Sequence, residues 1–336
     1  MKIIDRKFLS SKTRSCHAST ISFYQDKPVF AWFGGQREGL PDSSIYVEYN
    51  GQVQTLGANI NVAYWNPILF TVENKLFLAY KMGEFCDRWT TYIRNISEIG
   101  TTNGLNKYKS KIIPAGLNFC VKTKPIVDGK YIHCGSSVET VEDWTSYIEV
   151  YEYKDGEFEF CHRSQPLTID KKLGTYVHPY FGKQTKMSQG IIQPSLWKEE
   201  DGSWNAFFRS SRGVGKIYHS KGKCLYGEGE LWAVEWLRPT PTEFDNPNAS
   251  VDTVYFDGRL FLVYNPSEEY RHPLWVVELD KEFNAVDMVK INESVRENHT
   301  THTSELSYPY MIEYGGELHL TYTYGRSRIE YVTIGV

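Results

Sequence analysis

Hydrophobic positions along the chain fall in short strand-type runs that are separated by turn residues. The periodicity of an amphipathic helix, with apolar residues at i, i+3, i+4 and i+7, is hard to find anywhere in the 336 residues. Instead, a proline-led apolar run, a turn such as DG or GG, and a second apolar or aromatic run recur, which is the pattern of a β-hairpin. The units are residues 16–35, 65–81, 123–137, 192–211, 245–266 and 306–324.

The repeated unit predicts the fold. Five units carry a proline near their start, and the first carries Ala18 in its place. The prolines recur at intervals of roughly 50 to 70 residues and are Pro67, Pro125, Pro194, Pro247 and Pro309. Six hairpins, each followed by about 30 further residues, match six four-stranded blades. We therefore predict an all-β fold, a six-bladed β-propeller of residues 1–336 as one domain, with five or seven blades as alternatives.

The two ends of the chain predict how such a ring closes. Both MKIIDRKFL at the N-terminus and RIEYVTIGV at the C-terminus are strand-like. Their pairing in one blade would remove an exposed edge. Two polar stretches, 165–190 and 290–305, are interpreted as long loops over the rim of a pocket.

Equivalent repeat positions predict a cluster of polar side chains. The innermost strands of a propeller start near its axis at the same end, so residues at matching positions face one funnel. The residues before the prolines, or before Ala18, all carry hydrogen-bonding side chains: His17, Asn66, Lys124, Gln193, Asn246 and Tyr308. This variety favours a binding site, with turn formation alone as the alternative.

Polar residues also end or follow the second run of the hairpins. They are Lys81, Glu139, Arg209, Asn265, Arg271 and Arg326. A charge directly after an apolar strand is costly unless it faces a wet pocket or a partner. One such arginine is typical of a salt-bridged edge, but three arginines in successive repeats are harder to explain in that way. Because arginines pair bidentately with carboxylates, we expect an anionic ligand such as an acidic sugar.

Composition limits the classes of partner that the chain is expected to bind. The aromatic share of 15% suits half-buried strands and also provides walls for sugar rings. A net charge of −4 without a long basic run argues against nucleic acid. No apolar run approaches the roughly 20 residues of a membrane helix. Asp5, Arg6 and Lys7 stand where a signal peptide has its apolar core. We therefore expect a protein of the cytoplasm, or one exported by another route.

The cysteine pattern predicts no metal site. Six cysteines are scattered without CxxC or CxxxH spacing, and no EF-hand spacing occurs either. Free buried thiols are therefore expected. We predict no cofactor and no metal, and the sequence does not indicate an oligomeric state.

The same segments resemble the sialidase-like BNR-repeat family, whose members are often labelled predicted neuraminidases. The matching segments are in order and span residues 16 to 332; they include CHAST (16–20), AWFGGQREGLPDSSIY (31–46), WNPILF (65–70), QPSLW (193–197), RHPLWV (271–276), ELSYP (305–309) and YTYGRSRIEYV (322–332). The resemblance implies a sialidase-type propeller that acts on carbohydrate, in the first place as a glycoside hydrolase on an acidic-sugar glycan.

The resemblance also implies roles for single residues. Sialidases bind the substrate carboxylate with three arginines and use a tyrosine nucleophile with a glutamate partner and an aspartate acid/base. The positions that match are Arg209, Arg271 and Arg326 for the arginines, Tyr308 for the nucleophile, Glu139 or Glu305 for its partner, and Asp42 or Glu38 for the acid. His17 stands where the family's early arginine is expected, and only KDG and EDGSW remain of the Asp-box turns.

Two other functions stay open. Related propellers that cleave uronic-acid glycans by β-elimination use a histidine and a tyrosine for the protons and a cation for the carboxylate, and His17 and Tyr308 with Arg209 or Lys124 fit that template. A non-catalytic glycan-binding propeller is the third possibility, because a fold does not fix a function. Further candidate substrate-binding residues are Lys81, Asn66, Gln193 and Asn265.

Overall fold

The computed structural model describes residues 1–10, 12–57, 61–140, 143–170, 173–177, 184–188, 190–227, 230–295 and 304–336, with the backbone alone for 173–177, 184–188, 232 and 233. The strands in chain order are β1 (Lys2–Phe8), β2 (Ser15–Tyr24), β3 (Lys27–Gly35), β4 (Ser44–Tyr49), β5 (Gln52–Leu56), β6 (Ala63–Val72), β7 (Lys75–Gly83), β8 (Trp89–Asn95), β9 (Lys111–Ile112), β10 (Ile126–Asp128), β11 (Tyr131–Glu139), β12 (Trp144–Lys154), β13 (Glu157–Arg163), β14 (Leu173–Val177), β15 (Gln184–Ser188), β16 (Ile191–Lys198), β17 (Trp204–Ser210), β18 (Lys216–Gly227), β19 (Glu230–Trp236), β20 (Thr240–Asp245), β21 (Asp252–Phe256), β22 (Arg259–Tyr264), β23 (Leu274–Leu279), β24 (Ala285–Asn292), β25 (Leu306–Tyr314), β26 (Glu317–Tyr324) and β27 (Arg328–Gly335). A 3₁₀ turn covers Gly104–Asn106. No helix within the described ranges is long and apolar enough to cross a membrane.

The strands form six antiparallel blades, which confirms the predicted propeller. Blades 1 to 3 are β2–β5, β6–β9 and β10–β13; blade 4 is β16–β19 with β20 beside β18; blade 5 is β21–β24; blade 6 is β25–β27 with β1. The predicted closure is also confirmed, because β1 pairs with β27 from Lys2 opposite Gly335 to Phe8 opposite Glu330. The first strand therefore completes the last blade and closes the ring.

Two-residue turns fix the register of the hairpins. Both central residues of these turns have positive φ, which is the type I′ geometry that matches the twist of paired strands. The turn residues are Gln25 and Asp26, Asn50 and Gly51, Glu73 and Asn74, Asp155 and Gly156, Asp257 and Gly258, and Gly315 and Gly316. Gly, Asn and Asp adopt this conformation most readily, so the local sequence encodes most of these turns.

The core lies between the blades rather than at one centre. Six clusters of buried apolar side chains within the described residues each join two neighbouring blades. The cluster between blades 6 and 1 contains Ile21, Phe30, Trp32 and Tyr331, for example. Because each blade is covered on both faces, its inner strands are almost continuously buried, and no simple alternation of apolar and polar residues results.

A β-bulge near the start of the innermost strand recurs in four blades. The register shifts between His17 and Thr20, Trp65 and Ile68, Ile192 and Ser195, and Ser307 and Tyr310. The residues with positive φ in these bulges are Ala18, Asn66, Gln193 and Tyr308. The predicted alignment of His17 with these residues was therefore wrong by one position, because Ala18 is the structural equivalent.

Two other expectations are corrected. The stretch 165–190, predicted as a loop, contains the hairpin of β14 and β15. Within 290–305, β24 continues to Asn292, and residues 296–303 of that predicted loop lie outside the described residues. All six cysteines are free, as predicted, but only Cys16, Cys120 and Cys134 are buried.

Gly135 in β11 gives a test of how closely blades 3 and 4 approach. A Cβ at this position would overlap the carbonyl oxygen of Pro194 in β16. We expect Gly135→Ala to lower the free energy of unfolding by about 1–3 kcal/mol, the range for overpacking a tight contact. Denaturant unfolding measures this change. Gly57→Ala is the control, because a Cβ at Gly57 meets no atom within 4 Å; equal stability of both variants would contradict the close approach.

Candidate functional site

Tyr308 lies at the end of the channel where the innermost strands begin, in the bulge of β25. Arg209 of β17 donates a hydrogen bond from Nη1 to the Tyr308 hydroxyl at 3.0 Å. The same nitrogen donates to Gln193 Oε1 at 3.0 Å, and Nε and Nη2 donate to Asn248 Oδ1 at 3.0 and 2.7 Å. The guanidinium group also lies over the ring of Trp144 at 5.2 Å. Arg209 is only 4% exposed, so it is a fixed cation, and its hydrogen bonds within the described residues go to neutral groups.

Two further arginines converge on Glu305, which directly precedes β25. Arg271 Nη1 lies 3.2 Å from Glu305 Oε2, and Arg326 Nε lies 2.9 Å from Oε1. Ser307 donates to the same carboxylate at 2.8 Å. Burial raises the pKa of Glu305, but Arg271 and Arg326 outweigh burial, and the pKa is lowered. An ionised Glu305 therefore orients both guanidinium groups, and Asn248 O binds Arg271 at 2.8 Å as well.

Glu38 and Glu139 add further carboxyl groups near the arginines. Glu38, in the loop after β3, pairs with Arg326. Glu139 ends β11, and burial raises its pKa; the nearby Glu38 also raises it, whereas Arg209 and Arg271 lower it. Because its pKa is raised overall, Glu139 holds its proton to a higher pH than an ordinary glutamate and is suited to donate it.

His17 of β2 lies against Tyr308, with the ring centroids 4.2 Å apart. It is 1% exposed, and its Nδ1 lies 3.7 Å from Glu305 Oε1. Within the described residues, neither ring nitrogen has a hydrogen-bond partner. Burial lowers the pKa of His17 well below its usual value, and the charges of Arg326, Arg271, Lys122 and Arg209 lower it further. The imidazole beside Tyr308 is therefore neutral to a lower pH than an ordinary histidine.

The site thus combines a neutral imidazole, a tyrosine, three arginines and a carboxyl group whose pKa is raised. The arginines come from three successive blades, since Arg209 belongs to blade 4, Arg271 to the loop after β22 and Arg326 to the turn after β26. Side chains far apart in sequence meet here because their blades share one axis. Such a set can bind a carboxylate and move protons on a bound substrate.

Two residues predicted for the site have other surroundings. Asp42 is exposed, and its Oδ2 accepts a hydrogen bond from the backbone N–H of Gln36 at 2.8 Å, so it holds its own loop. Lys81 is wholly buried, where its Nζ donates to Thr91 Oγ1 and Cys120 O, both at 2.8 Å, and to Asn118 O. Burial lowers the pKa of Lys81 to about 8. Lys81 therefore anchors the segment before blade 3 and does not face ligand.

Other predicted residues serve the framework. Lys124 pairs with Asp252 at 2.8 Å and lines a cavity of about 270 Å³ beside Lys198 and Phe256. Asn265 donates to Pro273 O at 2.8 Å and to Leu306 O at 3.0 Å. These contacts hold both side chains in the framework, and their role as substrate-binding groups stays a prediction.

The pre-proline asparagines also differ from the prediction. Asn246 closes a turn by bonding both backbone groups of Ala249, with its amide donating to the carbonyl at 2.8 Å and its carbonyl accepting from the N–H at 3.2 Å. Asn66 is buried in the bulge of β6 with a φ of 40°. Gln193 and Tyr308 are thus the pre-proline residues that contact the arginine cluster, since Gln193 and Tyr308 both bind Arg209.

The sequence analysis missed Asn248, Trp144 and Lys122. Asn248 has a φ of 62°, and asparagine in a Pro-Asn turn is a recognisable signal for such a conformation. No local pattern marks Trp144, whose contact with Arg209 depends on two blades. Lys122 is two residues from the predicted Lys124 but has a different environment, 1% exposed beneath Tyr308.

A second cavity lies away from this cluster. It measures about 590 Å³ at the outer strands of blade 4 and is lined by Gln165, Lys221, Glu235, Trp236 and Leu237. None of the residues that line it belongs to the cluster of Arg209, Tyr308 and His17. Across the described ranges, no group of three or more His, Cys, Asp or Glu side chains is placed to hold a metal ion.

Comparison with protein families gives one match over most of the chain. Residues 27–320 match the family model described as a BNR repeat-like domain. No curated protein matches the sequence.

Solved structures share the fold at low sequence identity. A protein of unknown function from Dyadobacter fermentans has a TM-score of 0.68 and 11% identity, covering 100% of this chain and 99% of that chain. The α-L-arabinanase of Penicillium chrysogenum complexed with arabinobiose has a TM-score of 0.57 and 10% identity, covering 98% and 96%. The sialidase of Trypanosoma rangeli in complex with sialic acid has a TM-score of 0.60 and 10% identity; 99% of this chain spans 57% of that one.

Proposed function

The chain belongs to the BNR repeat-like domain family, and we propose that it is a glycoside hydrolase that cleaves a glycan at a carboxylated sugar. The observation that carries the proposal is the 3.0 Å contact of Arg209 with the Tyr308 hydroxyl, inside a cluster with two more arginines. Similar folds in an arabinanase and a sialidase are consistent with action on carbohydrate.

Arg271 and Arg326 are the groups proposed to bind the carboxylate of the sugar. Their side chains keep 17% and 32% exposure, so each remains partly accessible to a ligand. Glu305 holds both in place from the buried side. Arg209 adds a positive charge that no carboxylate contacts among the ion pairs described. The pocket therefore favours an anionic sugar over a neutral one.

The reaction proceeds through Tyr308. Its oxygen attacks the anomeric carbon while its proton passes to neutral His17, and Arg209 stabilises the negative charge that develops on that oxygen. Glu139 donates its proton to the leaving glycosidic oxygen as that bond breaks. Water then attacks the anomeric carbon of the glycosyl-tyrosine bond, Glu139 takes the proton of the water, and Tyr308 recovers its proton from His17. Glu139 or Glu38 replaces Asp42 in the acid role.

One observation favours β-elimination as a second candidate. His17 is neutral, has no hydrogen-bond partner in the described part of the chain, and contacts Tyr308. In a uronic-acid glycan, His17 would remove the proton on the carbon next to the carboxylate, and Tyr308 would protonate the leaving oxygen. Arg209 would neutralise the carboxylate during this step.

A panel of acidic and neutral glycans, analysed by mass spectrometry and ultraviolet absorbance, tests both candidates. Hydrolysis is expected to add one water to the products of a carboxylated glycan without new absorbance. An unsaturated product that absorbs in the ultraviolet would show that the reaction is elimination and not hydrolysis. Binding of acidic glycans without any product, or cleavage of neutral glycans alone, would contradict the proposal.

A further inference from the structure

Lys122 lies directly beneath the reacting tyrosine. Its side chain is 1% exposed, and its Nζ donates to the carbonyl oxygen of Pro309 at 3.3 Å. The ammonium lies 5.9 Å from the ring centroid of Tyr308 and 5.0 Å from that of Tyr310. Because the side chain is buried against both rings, Lys122 is closed off from a bound sugar.

The charge of Lys122 is not balanced by a direct ion pair in the described structure. Asp252, the nearby carboxylate, is bound by Lys124 at 2.8 Å, by Ser195 Oγ at 2.7 Å and by the backbone N–H of Met311 at 2.7 Å. Asp252 therefore screens Lys122 only partly. In a buried, weakly polarisable environment such a charge acts over several ångström.

Lys122 and His17 both lie against Tyr308, whose ring centroid is 4.2 Å from that of His17 and 5.9 Å from the Lys122 ammonium. The charges of Lys122 and of the three arginines therefore lower the pKa of His17. Within the described residues, Glu305 and Tyr308 also face His17. The arginine charges change when substrate binds, because a carboxylate of the sugar neutralises part of them. The charge of Lys122 does not change when substrate binds, because the sugar cannot contact this buried side chain.

We propose that Lys122 is a positioning residue that keeps His17 unprotonated after a carboxylated sugar has neutralised the arginines. The inference rests on the proposed function for the roles of the arginines and His17. It applies equally to hydrolysis and elimination, because His17 accepts a proton in both.

The charge of Lys122 is present in the pH range where it is needed. Burial lowers the pKa of Lys122 to about 7; Asp252 opposes this change and Lys124 adds to it. Below that pH the ammonium form dominates, and this is the range in which an ordinary histidine would gain a proton. Above it, Lys122 becomes neutral, but His17 is neutral there without help.

The test is the pH titration of His17 by NMR in the full chain, with His17→Asn to assign the signal. In Lys122→Met, which removes the charge at similar length, the pKa of His17 is expected to rise by about one pH unit, as for loss of one charge several ångström away at an effective dielectric constant of about 20. Lys122→Arg is expected to keep the low pKa. If the Lys122→Met protein does not fold, Lys122→Gln takes its place as the variant without the charge.

Lys81→Met is the matched control, since it removes another buried lysine and is expected to leave the pKa of His17 unchanged. A folded Lys122→Met protein whose His17 titrates as in the wild type would overturn the inference. This readout needs no substrate, so failure of the proposed activity would not be confused with it.

A second readout requires an active glycan. The acidic limb of kcat reports the substrate complex, and that of kcat/KM reports the free enzyme. We expect Lys122→Met to move both limbs to higher pH by a similar amount, because the charge of Lys122 acts on His17 in addition to the arginines in the free enzyme and in the complex. A limb of kcat that stays in place would contradict the role of Lys122 in the complex.

Discussion

Replacement of Tyr308 with phenylalanine is expected to reduce turnover of a carboxylated glycan by about 10²- to 10⁴-fold, the range for loss of a group that reacts with or transfers a proton to the substrate. The substitution removes only the hydroxyl that Arg209 contacts at 3.0 Å. The ring that lies against His17 is kept, so binding of the glycan is expected to change little. Steady-state kinetics and calorimetric binding measure the two effects separately.

Tyr310→Phe is the matched control for this experiment. Tyr310 belongs to the same strand, and its hydroxyl donates to the Leu69 carbonyl at 3.1 Å away from the arginines. Its loss is expected to cost about 1–3 kcal/mol of stability, because a buried acceptor is left unpaired, while turnover is retained. Full activity of Tyr308→Phe would show that the Tyr308 hydroxyl takes no part in the reaction.

Replacement of Arg271 with alanine is expected to lower kcat/KM for an acidic glycan by about 10²- to 10³-fold, as for loss of one partner of a buried charge pair. Arg271 is one of the two arginines on Glu305, at 3.2 Å, and its side chain remains partly accessible to a ligand. The chain is expected to remain folded, because Arg326 still pairs with Glu305 at 2.9 Å. Circular dichroism and kinetics together check the result.

A carboxyl-reduced form of the same glycan isolates what Arg271 recognises. The wild type is expected to discriminate strongly between the carboxylate and the reduced sugar, and Arg271→Ala only weakly, as in a double-mutant cycle. Arg259→Ala is the control within blade 5, because Arg259 pairs with Glu278 at the surface, where such pairs contribute about 0–1 kcal/mol. Undiminished discrimination by Arg271→Ala would contradict its place in the carboxylate site.

The buried lysines illustrate the limit of sequence reasoning about the site. Lys81 follows an apolar strand and resembles a site residue, yet its ammonium binds backbone carbonyls of the segment before blade 3. Lys122 follows no such pattern, yet it lies beneath Tyr308. Both are surrounded by residues distant in sequence, which are Asn118 and Cys120 for Lys81 and Tyr308 and Pro309 for Lys122. That environment is not encoded in either local segment.

Two acidic residues near the first blade also show that the local sequence does not specify which side chain reaches the site. Glu38 and Asp42 belong to one loop; the sequence predicts Asp42 as the acid, with Glu38 as the alternative. Glu38 reaches Arg326 of blade 6, whereas Asp42 binds the backbone of its own loop. Which carboxylate faces the arginines depends on the path of the loop, and no spacing rule specifies that path.

The sequence by itself determined the repeat of hairpins, the closure of the ring by the two termini, and the candidate status of Arg209, Arg271, Arg326 and Tyr308. These features follow from local turn chemistry and from strand-type runs, which act over a few residues. Only the tertiary structure decided that Ala18, not His17, occupies the bulge, and that Glu305, Glu139 and Lys122 surround the reacting groups. A β-bulge changes which way each following side chain points, and contacts across the axis join residues hundreds of positions apart, so their geometry exists only once the blades have packed.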